Sequence, residues 1–277
     1  MKWTGRGSGM GQIIEFPDDK KARERLEALK QTLEELIFEK NHLQYITCEN
    51  IQMEYMLIFG SLEYELYQSY CKYLRLRRKR ELIQAKINRQ EKINMKIIEL
   101  QLDEEFEAYQ QQLNEKIEEI NQAIARSKAD KLPADKAAQL KKCYRSIVKK
   151  LHPDLNPNIT EAEIEMFYHA TDAYKDGDLQ TIQLIFEIVC SDGMESEATL
   201  KGKSLHEEVE RLEGLVSQIQ NEIEQIQTTP PYIWSIYLTD ETKKSEKLDE
   251  LKQDIEEFKQ AIRIQKEYID KLMRDAT

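Results

Sequence analysis

Residues 139–157 read QLKKCYRSIVKKLHPDLNP. Leu140, Cys143, Tyr144, Ile147 and Leu151 recur at helical spacing, which predicts a helix with one buried face. Lys141, Lys142, Arg145, Lys149 and Lys150 fall between them and make the rest of that helix basic. The pattern stops at His152-Pro153-Asp154. Proline disfavours helical backbone at the residue before it, so His152 ends the helix, and Pro157 does the same for Asn156. Residues 152–159 are therefore expected to form an extended polar loop.

The flanks support a compact helical segment around this stretch. On the C-terminal side, Thr160-x-x-Glu163 is a capping box that opens a second helix. That helix carries Ile164, Phe167, Ala170, Thr171, Ala173 and Tyr174 inward, and Gly177 suits its left-handed C-terminal residue. Asp178 caps a short apolar helix over 179–189. On the N-terminal side, KADKLPAD (128–135) breaks the chain at Pro133. Asp135 is the expected N-cap of the helix 136–151.

Beyond this region the sequence reads as long helices. Only nine Gly and six Pro occur in 277 residues, and 34% of the residues are charged, against about 25% in an average domain. Leu26, Leu29, Leu33, Leu36 and Leu43 make a heptad-like stripe. From Ile51 the pattern turns dense and aromatic through Tyr55, Phe59, Tyr64, Tyr67, Tyr70 and Tyr73, which predicts a helix packed on more than one neighbour. Phe106, Leu113, Ile117, Ile120 and Ile124 continue with coiled-coil spacing. Two further stripes close the chain, Leu205–Ile226 and Leu251–Leu272, separated by Thr228-Thr229-Pro230-Pro231. The short connection predicts an antiparallel coiled-coil hairpin with the apolar YIWSIYL (232–238) at its tip. The expected fold is all-α. A tail (1–17) is followed by a long-helix region (18–128), a compact domain (132–190) and a coiled-coil hairpin (203–274). The stripes can be satisfied within one chain or between copies, which leaves a homo-oligomer open.

Charge and composition narrow the function classes. A net charge of -11 argues against wholesale binding to nucleic acid or membranes. Lys72 and Arg75–Arg80 form a local basic run, but Glu63, Glu65 and Glu81 flank it, and a solvated helix face accounts for it. Cys48, Cys71, Cys143 and Cys190 form no CxxC pair and fit a reduced cytoplasmic protein. No apolar stretch reaches the roughly 18 residues of a membrane span. The alternating Gly5, Gly7, Gly9 and Gly11 lack the spacing of a phosphate loop. His42, His152, His169 and His206 lack metal spacing, and no cofactor motif or catalytic constellation stands out.

The segment 136–174 resembles the J domain of DnaJ/Hsp40 co-chaperones. The resemblance rests on the basic helix with Lys141, Lys142, Tyr144, Arg145, Lys149 and Lys150, on His152-Pro153-Asp154, on Asn156-Pro157, and on Phe167 and Ala173-Tyr174. The compact domain that contains it (132–190) covers about a fifth of the chain. The family's usual first helix is absent before residue 136, and the end of the long helix near Ile117–Ile124 is expected to take its packing place. Leu155 stands where the family has Lys or Arg. The resemblance implies a non-enzymatic activator that docks on an Hsp70 chaperone of the DnaK type and stimulates its ATP hydrolysis. The docking residues would be His152, Pro153, Asp154, Lys141, Lys142, Arg145, Lys149 and Lys150. No cofactor is implied, and the coiled coils would select a client or a location. The alternatives are a coiled-coil scaffold with a degenerate J-like domain, or a nucleic-acid-associated protein using 72–80.

Overall fold

A computed structural model describes residues 17–129, 132–191 and 203–275. The fold is all-α, and no strand occurs among these residues. The helices are α1 (Pro17–His42), α2 (Cys48–Asn88), α3 (Met95–Glu105), α4 (Glu107–Lys128), α5 (Ala134–Leu151), α6 (Glu161–Asp176), α7 (Leu179–Ser191), α8 (Lys203–Thr228), α9 (Ser235–Thr239) and α10 (Glu241–Asp275). A π-helical turn, Leu43–Thr47, joins α1 to α2. The expected tail (1–17) lies outside the described residues except for Pro17, where α1 begins.

Several helix ends follow from local chemistry. Thr160 and Glu163 form the capping box at the start of α6, each side chain accepting from the other residue's backbone N–H at 3.3 and 2.7 Å. Gly177 closes α6 at φ 70°, and Asp178 N donates to Ala173 O at 2.8 Å. Asp178 Oδ1 accepts from the amides of Gln180 and Thr181, and Asp240 Oδ1 accepts from those of Thr242 and Lys243. The start of α5 differs from the expectation. Pro133, in extended backbone, precedes Ala134 as the capping residue, and no side chain closes that end. Asp135 sits one position inside the helix, where its charge still faces the positive end of the dipole. The helical stretch from Met95 to Lys128 is broken at Phe106, between α3 and α4. The helix before it ends where Gln90 takes the left-handed conformation and Glu91 N returns to Lys86 O at 3.0 Å.

The chain divides into two compact units. One holds the residues up to Tyr45 and Leu132–Ile226, and the other holds Ile46–Lys131 and Gln227 onward. This division groups the helices differently from the expected regions in two places. Helix α1 belongs with α5–α7 and not with the rest of 18–128. Helices α8 and α10, read as the two arms of one hairpin, are assigned to different units, each with partners of its own. A heptad stripe shows that a face is buried but does not name the helix that buries it.

In the first unit, α5, α6 and α7 pack on one another and α1 lies on α5. Helices α5 and α6 are antiparallel: Tyr144 stacks on Tyr174 at 4.0 Å, and His152 meets Phe167 edge-on at 5.1 Å. Arg25–Glu213 and Lys40–Glu222 ion pairs, both 2.9 Å, tie α1 to α8.

The second unit is built on α2, which is flanked by α4 and α10 as its aromatic density predicts. Ile120 of α4 comes so close to Gly60 that a Cβ there would lie 3.0 Å from it. The YIWSIYL segment folds onto α2: Trp234 stacks on Tyr55 at 4.4 Å, and Tyr237 contacts Phe59. Cys48, Cys71 and Cys143 are buried free thiols, and burial pushes all three up in pKa.

Phe59 is fully buried at the centre of the α2–α4–α10 core. Phe59→Ala should destabilise this unit by about 3–5 kcal/mol, seen as a lowered urea midpoint.

Candidate functional site

The site is built on the end of α5. His152 leaves the helix at φ −72°, ψ 127°, the extended conformation that Pro153 imposes. The loop beyond it is tighter than the extended segment expected. His152 O accepts from the amides of Leu155 and Asn156 at 3.1 and 3.0 Å. The Asn156 side chain donates to Lys149 O at 2.9 Å and occupies one of the orphan carbonyls at the helix end.

The three residues of the turn have separate tasks. His152 is mostly buried, and its Nδ1 accepts from Asp154 N at 3.1 Å, so in the neutral ring the proton sits on Nε2. Burial lowers its pKa and Lys40 adds to that, against an opposing pull from Asp154. Pro153 fixes the backbone. Asp154 takes part in the turn through main-chain atoms: its N–H donates to His152, and its carbonyl accepts from Arg211 at 3.3 Å. Its carboxylate is 44% exposed and lies 4.0 Å from the His152 ring nitrogen. Arg211 of α8 is itself held by Glu208 at 2.6 Å. The turn borders a cleft of about 370 Å³ lined by Lys40, Tyr45, His152, Phe167, Thr171 and Lys175 among others.

Of the six basic residues of α5, all but Lys136 fall in two rows. Lys142 and Lys150 lie on one. Lys150 donates to Val189 O near the end of α7 at 3.2 Å, and the Lys142 side chain has no polar partner among the described residues. Lys141, Arg145 and Lys149 form the other row, and α1 runs along it in the opposite direction. His42 Nε2 accepts from Lys141 at 3.2 Å. The Arg145 guanidinium lies over the Phe38 ring at 5.6 Å and reaches Glu35 at 3.3 Å. Glu34 pairs with Lys149 at 3.3 Å and with Arg145 at 3.8 Å. Residues 34, 38 and 42 thus meet 149, 145 and 141 in steps of four along both helices. Helix α1 therefore takes the packing place expected of Ile117–Ile124, which belong to the other unit.

A buried hydrogen-bond chain fixes α1 in that register. Asn41 Nδ2 donates to Tyr144 Oη at 3.0 Å. Thr171 Oγ1 donates to Phe167 O at 3.0 Å, so its contact with Tyr144 at 3.2 Å is as acceptor. Burial pushes the Tyr144 phenol up to about 12, and it stays a neutral donor. Because Lys141 occupies Nε2 of His42, the neutral ring carries its proton on Nδ1 and donates to Tyr174 Oη at 3.1 Å. Burial, with Lys141 beside it, lowers the His42 pKa.

Sequence reasoning located the turn and α5 but missed Glu34, Glu35, Phe38, Asn41, His42 and Arg211. Asn41 alone left a signal, a polar residue close to the apolar stripe of α1. The basic run of α2 is engaged within its own unit. Arg75 and Lys79 pair with Glu99, and Arg78 pairs with Glu105, whose carboxyl it holds at about 2. Arg77 pairs with Glu81, and Arg80 lies over Tyr268. These residues tie helices together more than they form the solvated face expected.

Among the described residues no cluster of His, Cys, Asp or Glu is arranged to hold a metal ion, and no helix is long and apolar enough to cross a membrane. Comparison with family models, curated proteins and solved structures gives no match to this chain.

His42 and His152 both titrate below the ordinary 6.5, so the folded state takes up these protons less readily than the unfolded chain. Their contribution to stability is complete above about pH 6.5 and is lost as the pH falls toward their folded values. Urea midpoints should therefore decline below that pH, and His152→Gln should flatten the decline.

Proposed function

We propose that this protein is a J-domain-like co-chaperone that docks on a DnaK-type Hsp70 and stimulates its ATP hydrolysis. The observation that carries this reading is the presentation of Asp154. The turn is held by His152, Pro153, Asn156 and Arg211 through atoms other than the Asp154 carboxylate, which stands half-exposed. A carboxylate fixed on a stiff turn can accept a bidentate arginine with little loss of freedom on binding. The basic face of α5 beside it supplies attraction to an acidic surface. Hydrolysis itself would take place in the partner, so this chain acts as an activator and not as a catalyst. The second unit, with its long paired helices, would select the client or the location.

Asp154→Asn tests this directly. The substitution keeps the N–H and the carbonyl that build the turn, so the fold should be retained, as judged by circular dichroism and the urea midpoint. Loss of a charge-assisted hydrogen bond costs about 1.5–3 kcal/mol. Stimulation of ATP turnover at limiting co-chaperone should therefore fall by about ten- to a hundredfold. Equal stimulation by the wild type and the variant would remove the proposed mechanism.

A further inference from the structure

The basic row that would meet an acidic partner is already covered, in charge and in register, by α1. Glu34 and Glu35 supply carboxylates to Arg145 and Lys149. The same face of α1 places Phe38 under the Arg145 guanidinium and His42 against Lys141. The two acids are differently anchored: the Glu34 side chain is only 16% exposed, and that of Glu35 is 70% exposed. Their basic partners stay within reach of solvent, Arg145 at 45% and Lys149 at 63%.

We infer that Glu34 and Glu35 are an internal substitute for the acidic surface of the partner, so that docking proceeds by exchange of ion pairs on Arg145 and Lys149. This rests on the docking function proposed above. Ion pairs at this exposure are weak and exchange readily, so the cover sets the rate of encounter without closing the site. Lys142, in the other row, is left outside the cover as the first point of attraction, while Arg145 and Lys149 become available as the carboxylates give way. The hydrophobic stripe of α1 stays buried throughout, because only side chains at its edge need to move.

The test uses the full chain with purified DnaK-type Hsp70 and ATP, at low ionic strength where steering is strongest. Association rates and stimulation of ATP turnover are measured for the wild type, Glu34→Gln/Glu35→Gln, Glu35→Lys, and the charge-matched control Glu24→Gln/Glu39→Gln. Glu24 and Glu39 are exposed residues of the same helix away from these pairs. Glu34→Gln/Glu35→Gln should associate about three- to tenfold faster and reach half-maximal stimulation at correspondingly lower concentration. Glu35→Lys, at the exposed position, should shift in the same direction without touching the buried carboxylate. The control should stay near the wild type. If the double variant matches the wild type, or shifts no more than the control, the cover has no role, and stimulation that depends on Asp154 would still stand. If the wild type and every variant fail to stimulate, the docking function falls and the inference falls with it.

Discussion

The first unit depends on what Tyr144 does with its hydroxyl. The ring is fully buried against Tyr174, and a phenol in that position must be hydrogen-bonded on both sides or it destabilises the core it fills. Asn41 and Thr171 provide the two partners, one from α1 and one from α6. That requirement joins three helices at one point. It sets where α1 lies along α5, and therefore which acids face which bases at the surface. The polar chain gives register, and the apolar faces around it give most of the stability.

Much of this was legible in the sequence where the signal is local. Thr160 and Glu163 sit three residues apart on the same turn, and Gly177 sits where a right-handed helix must end, so α6 could be bounded from its own residues. Pro153 likewise bounds α5. The partners of the long helices were not legible. The stripes of α1, α8 and α10 share the same spacing of Leu and Ile, so each shows that one face is buried without telling which helix buries it. The pairing of α8 and α10 was inferred from a short connection, and the packing surfaces sort those helices differently. Gln90 shows the limit from another side: a side-chain-bearing residue in the left-handed region gives no warning of the stop it makes. Of the site, the turn could be read from its own three residues. Arg211 could not, because 57 positions separate it from the carbonyl it holds.

Charge in this chain holds helices to one another more than its composition suggests. Arg75, Arg78 and Lys79 bind α2 to α3, and Arg145 and Lys149 bind α5 to α1. A run of basic residues in an acidic protein is met first by the protein's own carboxylates. Whether such a run is available to another molecule depends on how exposed the pairs are, and the two runs differ in neighbourhood: that on α5 ends beside a rigid polar turn.

The tripeptide divides construction from presentation. His152 and Pro153 are spent on shape, while Asp154 builds the turn through its main-chain atoms and not through a hydrogen bond to its carboxylate. Shape and displayed charge are therefore separable in this turn: a change confined to the carboxylate alters what the turn displays and leaves in place the N–H and the carbonyl that build it.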